Sequence, residues 1–368
     1  MLPVSEPCIT ERDIALVNDA LKSGWISSAG MYLDLFEQRW AAYCGMPFGI
    51  AVSNGSVALD LAVGLLNLQP GDEVIMPTFT IISPAQSIVR AGGVPVLVDS
   101  EPHNWQMDAG QIEAKIGPRT KAILVVHIYG HPADMDLITD VARRHHLTVI
   151  EDAAEVHGAE YKGRRCGGLA DISTFSFYAN KLVTTGEGGM VLVRTPEHAE
   201  RARSLRNLCF QKQQRFLHDE LGYNYRMTNI QAALGVGQID RMDGIVARKR
   251  AIAAAYAEQL RDVAGIRMQV EEAWAKSVYW VLGVVVGEST GVTAIMLADR
   301  LREAHIETRP FFLGMHQQPV FQKMGLFQGE QFPVADRLAR QGVYLPSGLT
   351  ITDEQIVSVT TTVRESLK

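Results

Sequence analysis

A lysine placed between two predicted strands is the feature that most constrains this chain. Residues 171–189 read DISTFSFYANKLVTTGEGG, with Lys181 near the centre. Alternating β-branched and aromatic residues at 172–177 predict a strand, and the apolar run at 190–193 predicts a second one after a Gly-rich turn. Lys181 is therefore expected at a loop tip inside the fold, although a lone lysine is nearly always a solvated surface charge.

Three further features give Lys181 a chemical context. Ser176 supplies a hydroxyl, Asp152 ends an earlier apolar run, and the Asn-Gly-Ser turn at 53–56 joins a predicted strand to a predicted helix. Pyridoxal phosphate needs an amine for a Schiff base, a carboxylate for its pyridine nitrogen, and a phosphate cradle of N–H groups and hydroxyls. The chain offers one candidate for each part. Asp152 could equally cap the next turn, and such glycine turns are common connectors in α/β folds.

Continuous apolar runs alternate with helical patterns over the first two thirds of the chain. Uninterrupted apolar strands separated by helices predict an α/β fold with a mostly parallel sheet that is covered on both faces. Ligands of such sheets gather at the carboxyl ends of the strands, which is where Asp152 is expected. The predicted strands include residues 48–53, 74–76, 94–98, 122–127 and 148–150, and the predicted helices include 11–23, 57–66, 84–91 and 134–145.

The pattern changes after Asp243. A helix at 245–260, a long β-branched strand at 278–286, a helix at 292–304 and a closing helix at 353–367 predict a second, smaller α/β domain. We therefore expect a large domain at 11–240 and a small domain at 241–368, with residues 1–10 packing on the small one.

Composition limits the function. A formal charge of −6 and the lack of a Lys/Arg run argue against a nucleic-acid partner. No secretory signal or membrane-length apolar stretch is present, and four scattered cysteines lack zinc-site or redox-motif spacing. We therefore expect a cytoplasmic chain with reduced thiols, with no metal site and no membrane association.

Two loops carry polar side chains whose role the sequence leaves open. Trp25, Ser27 and Ser28 follow the first predicted helix, and Asn224 and Arg226 lie in the turn that precedes the helix near residue 230. Either loop could face a ligand, and the second could instead face a partner subunit. Ordinary turn chemistry explains both equally well.

The motifs together resemble the DegT/DnrJ/EryC1/StrS family of sugar-nucleotide aminotransferases. The resemblance extends over nearly the whole chain, and the lysine motif is its most specific part. It implies a fold-type I, aspartate aminotransferase-like structure with a seven-stranded, mostly parallel sheet. The matching segments, in chain order, are SGWISSAG, VSNGSVALDLA, MPTFT, VHIYGHPADM, EDAAEVHGA, FSFYANKLVTTGEGG, GYNYRMTNIQAA, TRPFF, MHQQP and YLPSG.

This resemblance assigns a role to each candidate residue. Lys181 would be the Schiff-base lysine, Asp152 the partner of the pyridinium nitrogen, and Glu155 the residue beside the ring hydroxyl. Each active site would be shared between two chains, which implies a homodimer. The phosphate would be bound by Gly55, Ser56, Ser176 and, from the neighbouring subunit, Asn224.

The resemblance also implies the reaction. An amino group would pass from L-glutamate, through pyridoxamine phosphate as the intermediate form of the cofactor, to a keto sugar linked to a nucleoside diphosphate. The segments PTFTIIS, IETRPFF and MHQQP most resemble the branch that aminates C4 of GDP-4-keto-6-deoxymannose to give GDP-perosamine. Its product would enter a polysaccharide such as an O-antigen, or a secreted metabolite. The weaker candidates for the sugar-nucleotide site are Trp25, Ser27, Ser28, Arg309 and His316.

Two positions depart from the family pattern, and three alternatives stay open. Ile81 stands where many relatives place an aromatic ring against the cofactor, and Gly314 stands where a proline is common before the Met-His pair. The alternatives are a dTDP- or UDP-linked 3- or 4-keto substrate, a dehydratase, and a non-catalytic regulator. Related dehydratases carry histidine at the position of Lys181, which argues against that activity.

Overall fold

The computed structural model describes residues 1–211, 213–214 and 216–368. Its strands are β1 (Phe48–Val52), β2 (Glu73–Pro77), β3 (Val94–Val98), β4 (Thr120–Val126), β5 (Thr148–Asp152), β6 (Glu160–Tyr161), β7 (Arg164–Arg165), β8 (Ile172–Ser176), β9 (Gly189–Val193), β10 (Ile266–Met268), β11 (Ala275–Lys276), β12 (Leu282–Val286), β13 (Arg309–Pro310) and β14 (Gly342–Leu345). Its helices are α1 (Glu11–Ser23), α2 (Met31–Cys44), α3 (Gly55–Gly64), α4 (Ser83–Arg90), α5 (Met135–Arg144), α6 (Pro196–Arg206), α7 (Asn229–Ile239), α8 (Met242–Leu260), α9 (Ala294–Glu303), α10 (Pro319–Lys323), α11 (Pro333–Gln341) and α12 (Asp353–Ser366).

The main sheet has seven strands in the order β3-β2-β4-β5-β8-β9-β1. Only β9 runs antiparallel to its neighbours β8 and β1, while the pairs from β8 to β3 are parallel. The strands are almost wholly buried, as their uninterrupted apolar sequences require. The predicted α/β class and the seven-stranded, mostly parallel sheet are confirmed.

Side-chain hydrogen bonds cap the N-termini of α3 and α1. Asn54 precedes α3, and its side chain accepts a hydrogen bond from the Val57 N–H at 3.0 Å. Thr10 and Asp13 form a capping box at the start of α1. The loop from β1 therefore enters α3 with a fixed geometry, and the helix N-terminus lies beside the end of the sheet.

The segment before β12 differs from the sequence prediction. A strand was expected over 278–286, but β12 begins only at Leu282. Tyr279 has a left-handed backbone, with φ of 46°, and the Val278 N–H donates to the Gly130 carbonyl rather than to a neighbouring strand. The helices α2 and α6 were not anticipated either.

A smaller antiparallel sheet follows, with the order β10-β12-β14-β13 and its own buried apolar cluster. The N-terminal residues contact this part of the chain. Leu2 bridges to Ile306, and the Val4 carbonyl accepts from the Ser347 N–H at 2.9 Å. The division into domains at residue 240 stays a prediction. No helix in the described part of the chain has the length and apolar character needed to cross a membrane.

Candidate active site

A cavity of about 670 Å³ lies against the carboxyl ends of β5 and β8 and the N-terminus of α3. This is the edge of the sheet where the sequence predicts a ligand. Lys181 lines it, together with six other predicted residues: Gly55, Ser56, Ile81, Asp152, Glu155 and Ser176. The fold therefore brings into one cavity residues that are up to 126 positions apart in the sequence.

The Lys181 side chain is almost completely buried in this cavity, with 10% of it exposed. Its Nζ lies 3.9 Å from Glu155 Oε1 and 3.5 Å from the centre of the Trp280 ring. Burial lowers the pKa of the Lys181 amine, and the nearby Glu155 and Asp152 carboxylates oppose that shift. Because only the unprotonated amine is nucleophilic, burial prepares this lysine for covalent chemistry with a carbonyl group.

Asp152 is the last residue of β5 and is buried. Its Oδ1 accepts a hydrogen bond from the Ala154 N–H at 3.1 Å. Burial raises the pKa of the Asp152 carboxyl, although the Ala154 N–H and Lys181 act in the opposite direction. A cation placed beside such a buried carboxylate stabilises its ionised form, and a protonated pyridine nitrogen is such a cation.

Glu155 is the second buried carboxyl beside the lysine. Its Oε2 accepts from the Tyr129 N–H at 2.8 Å, and its Oε1 faces Lys181. Burial raises the pKa of Glu155, and the adjacent lysine lowers it. A carboxyl with a raised pKa can carry a hydrogen toward an oxygen atom of a bound ligand.

The other end of the cavity suits a phosphate group. Gly55 and Ser56 open α3, where N–H groups and the helix dipole favour an anion. The Ser56 hydroxyl lies 2.8 Å from the Ser83 hydroxyl. A β-carbon at Gly55 would lie 2.6 Å from Ser176 Cβ, so the glycine is what lets Ser176 approach the helix end. The residues therefore fit both ends of pyridoxal phosphate.

Replacing Gly55 with alanine is expected to weaken cofactor binding about ten- to a hundredfold, since forcing a methyl group into a packed site costs about 1–3 kcal/mol. The measurement is the dissociation constant of pyridoxal phosphate by absorbance titration. Gly64→Ala is the matched control, because Gly64 ends the same helix and a β-carbon there meets only Leu205 Cδ1, at 3.9 Å. Equal affinity in the two variants would contradict the assignment of the phosphate end.

The predicted loop residues lie apart from this cavity. Ser28 and Arg226 line a second cavity, also of about 670 Å³, and Asn224 accepts from Arg226 Nε at 2.8 Å. The carbonyls of Trp25 and Ser27 accept from the side-chain and backbone N–H groups of Asn229 respectively. These two bonds are 2.7 and 2.6 Å long, and they fix the loop to the start of α7.

Neither Arg309 nor His316 is among the described residues that line the first cavity. His316 is buried, and its ring nitrogens bond to Thr78 Oγ1 and Asp336 Oδ1, both at 2.8 Å. A β-carbon on Gly314 would lie 2.5 Å from His316 Cε1, so the glycine that replaces the usual proline makes room for the ring. Arg309 pairs with Glu307 at 2.5 Å and is exposed. Their assignment to the substrate site stays a prediction.

Sequence reasoning missed several aromatic residues of the cavity wall. Phe312 and Tyr344 line the cavity and belong to the segments TRPFF and YLPSG, so the motifs themselves could have identified them. Trp280 also lines it, but in the sequence it is part of an apolar run that resembles a strand. No local pattern distinguishes Trp280 from a core residue.

One buried group in the described part of the chain has the chemistry of metal ligands: His127, Glu151 and Cys166. His127 Nδ1 accepts from the Ala133 N–H at 2.9 Å, so the hydrogen is on Nε2, which donates to Glu151 at 3.0 Å. Glu151 also accepts from the N–H groups of Gly167 and Leu169. This group is a hydrogen-bonded network that ties β4, β5 and the following loop together.

The sequence matches the model of the DegT/DnrJ/EryC1/StrS aminotransferase family over residues 7–364. The chain is 40% identical to the GDP-perosamine synthase of Caulobacter vibrioides, over 94% of this chain and 92% of that protein. It is 38% identical to the GDP-perosamine synthase of Escherichia coli O157:H7, over 99% of this chain and 98% of that protein.

A solved structure supports the same relationship. A sugar aminotransferase from Streptococcus pneumoniae, determined in its PMP form, superimposes with a TM-score of 0.93. The two sequences are 26% identical, and the match covers 99% of this chain and 97% of the other. The fold of the whole chain is therefore shared with an enzyme that holds the aminated form of the cofactor.

Proposed function

Because this chain belongs to the DegT/DnrJ/EryC1/StrS aminotransferase family, we propose that it transfers an amino group from L-glutamate to the C4 keto group of GDP-4-keto-6-deoxy-D-mannose, giving GDP-perosamine. It is a pyridoxal phosphate-dependent aminotransferase. The observation that carries the proposal is the position of the Lys181 amine, which is buried in a ligand-sized cavity beside the carboxylates of Glu155 and Asp152. The GDP-linked substrate is supported by the two GDP-perosamine synthases, which match this chain over nearly its full length.

When bound, pyridoxal phosphate supplies an electron sink and a temporary carrier for the amino group. Asp152 would keep the pyridine nitrogen protonated, and Glu155 would interact with the ring hydroxyl. Gly55, Ser56 and Ser176 would hold the phosphate at the N-terminus of α3.

Lys181 moves the proton in both half-reactions. In the first, its free Nζ would accept the proton from the α-carbon of L-glutamate; the amino group stays with the cofactor, and water supplies the ketone oxygen of the 2-oxoglutarate that leaves. In the second, the same Nζ delivers a proton to C4 of the sugar, which has lost its carbonyl oxygen to water. Burial that lowers the pKa of Lys181 suits both steps, because a general base works best when its pKa lies near the working pH.

We propose that the enzyme works as a homodimer with shared active sites. Large apolar side chains are exposed in the segments that precede α2 and α7 and at the start of α2: Trp25 is 62% exposed, Met31 65% and Leu221 93%. A dimer interface would remove such apolar groups from water. In this arrangement Asn224 of the partner subunit completes the phosphate site, which explains why Asn224 does not line the first cavity of its own chain.

A cytoplasmic location is also proposed. The four cysteines, Cys8, Cys44, Cys166 and Cys209, are free thiols, and three of them are buried. Unpaired cysteines are typical of a reducing compartment.

The experiment that tests the substrate is a product mass. Purified protein receives pyridoxal phosphate and L-glutamate with GDP-4-keto-6-deoxymannose in one tube and with dTDP- or UDP-linked 3- or 4-keto sugars in others. We expect the mass change for replacement of a carbonyl oxygen by an amino group in the GDP tube alone. Amination confined to a dTDP or UDP tube would overturn the substrate but keep the aminotransferase. Loss of a sugar hydroxyl without gain of nitrogen would overturn the reaction type.

A further inference from the structure

Trp280 is the aromatic side chain that covers the Lys181 amine. Lys181 Nζ lies 3.5 Å from the centre of its ring. The indole Nε1–H donates to the carbonyl of Asn180 at 2.8 Å, which is the residue immediately before the lysine. The ring is therefore fixed to the lysine loop at its edge while its face covers the amino group.

A buried ammonium group holds the backbone of Trp280 in place. Lys249 on α8 is 3% exposed, and its Nζ donates to the Trp280 carbonyl at 3.0 Å. The same Nζ donates to the Ser347 carbonyl at 2.5 Å and lies 3.4 Å from the Ser347 hydroxyl. Each of the three N–H donors of the protonated amine therefore has an acceptor. Burial lowers the pKa of Lys249 to about 7, and these acceptors favour its protonated form. Lys249 joins α8, the segment before β12 and the loop after β14.

The backbone before Trp280 is also held in an uncommon conformation. Tyr279 has φ of 46°, in the left-handed region that β-carbon-bearing residues seldom occupy. A β-carbon on Gly130 would lie 2.5 Å from the Trp280 nitrogen, so this close approach requires glycine. Strained backbone of this kind persists where the surrounding contacts impose it, and it is concentrated at functional sites. Here it turns the Trp280 ring into the cavity instead of continuing β12.

We propose that Trp280, held by Lys249, is a positioning residue that keeps the Lys181 amine directed at the reacting atoms of cofactor and substrate. This rests on the proposed function, in which Lys181 is the reacting amine. The ring face attracts an ammonium group, so Trp280 stabilises the protonated form that Lys181 adopts each time it has taken up a proton. The charged or titratable groups that also face the lysine are Asp152, Glu155 and His157.

The test compares Trp280→Leu and Trp280→Phe with the unaltered protein. In the cofactor-free proteins, competitive acetylation of Lys181, followed by peptide mass spectrometry across a pH series, gives the pKa of its amine. We expect the pKa to fall by about one unit in Trp280→Leu and by less in Trp280→Phe, since phenylalanine keeps an aromatic face. In the loaded enzymes we expect kcat to fall about tenfold in Trp280→Leu, and KM for the sugar nucleotide to change less than kcat.

Trp274→Leu is the control for the loss of a large aromatic residue. Trp274 packs on His131 and Tyr161, away from Lys181, so its replacement should leave the pKa of the Lys181 amine unchanged. Lys249→Met provides a second variant with an intact tryptophan. Because Lys249 holds Trp280 in place, Lys249→Met should lower the pKa of the Lys181 amine, as Trp280→Leu does.

An unchanged pKa of the Lys181 amine in Trp280→Leu, or an equal shift in Trp274→Leu, would overturn the proposal. The acetylation measurement requires no turnover, so it reports on Trp280 even if the substrate assignment is wrong. Failure of the proposed function would instead appear as turnover that does not depend on Lys181 at all.

Discussion

Lys181→Ala is expected to abolish amino transfer while leaving the protein folded. In the proposed function the substitution removes both the amine that attaches the cofactor and the base that moves the proton, and proton transfer alone contributes about 10²–10⁴-fold. We therefore expect kcat to fall by at least about 10⁴-fold. The measurement is the rate of 2-oxoglutarate release with L-glutamate as the amino donor. Lys181→Arg tests whether positive charge is sufficient, and we expect it to be as inactive as the alanine variant.

Lys181→Ala also tests whether each active site is built from residues of both subunits. Lys181→Ala and Asn224→Ala chains, unfolded and refolded together, should form mixed dimers in which one of the two sites has both residues intact. About a quarter of the native activity should then return, because half of the dimers are mixed and half of their sites are complete. A mixture that stays as inactive as its components would contradict the placement of Asn224 in its partner's site. Unchanged turnover in Lys181→Ala alone would contradict the enzyme assignment.

Asp152→Asn is expected to lower kcat by about 10²–10³-fold, the usual effect of removing one preorganised electrostatic group from an active site. Asparagine has the same shape but cannot hold a proton on the pyridine nitrogen, so the electron sink is weakened while the cofactor is still bound. The measurements are kcat for both half-reactions and the cofactor content by absorbance. Glu151→Gln is the matched control, because Glu151 is the preceding residue of β5 and bonds to His127 and the Gly167 N–H instead of the cavity. That control should lower stability and retain amino transfer.

In the cofactor-free protein, Asp152→Asn is expected to raise the free energy of unfolding, although it lowers turnover in the loaded enzyme. Burial raises the pKa of the Asp152 carboxyl above its usual value of 3.8 in the folded protein, so the folded state binds this proton more tightly than the unfolded state. As the pH rises through and above that value, ionisation of Asp152 therefore subtracts from the free energy of unfolding. Asparagine removes this penalty. We expect the cofactor-free variant to be more stable than the native chain at neutral pH, and a less stable variant would show that the carboxylate is already compensated within the protein.

Residues whose local pattern and position along a strand coincide in the sequence prediction lie in one cavity of the structure. Asp152 and Ser176 end strands β5 and β8, and Gly55 begins the helix that follows β1. Parallel strands bring their carboxyl ends to one edge of the sheet, so these residues meet wherever the fold forms. His316 shows the limit of such reasoning. Its contacts with Thr78 and Asp336 could not be predicted from its motif, and its assignment to the sugar-nucleotide site stays a prediction.

The sequence by itself determined the fold class and the cofactor and proposed the residues that would hold it, because apolar periodicity, turn chemistry and short motifs are properties of neighbouring residues. Only the tertiary structure decided the direction in which the pKa of the Lys181 amine shifts and which side chain covers that amine. The bond from Trp280 to Asn180 joins residues 100 positions apart, and Lys249 reaches Ser347 across 98 positions. Desolvation and ring contacts depend on how such distant segments pack, so no local pattern in this chain could have predicted the surroundings of Lys181.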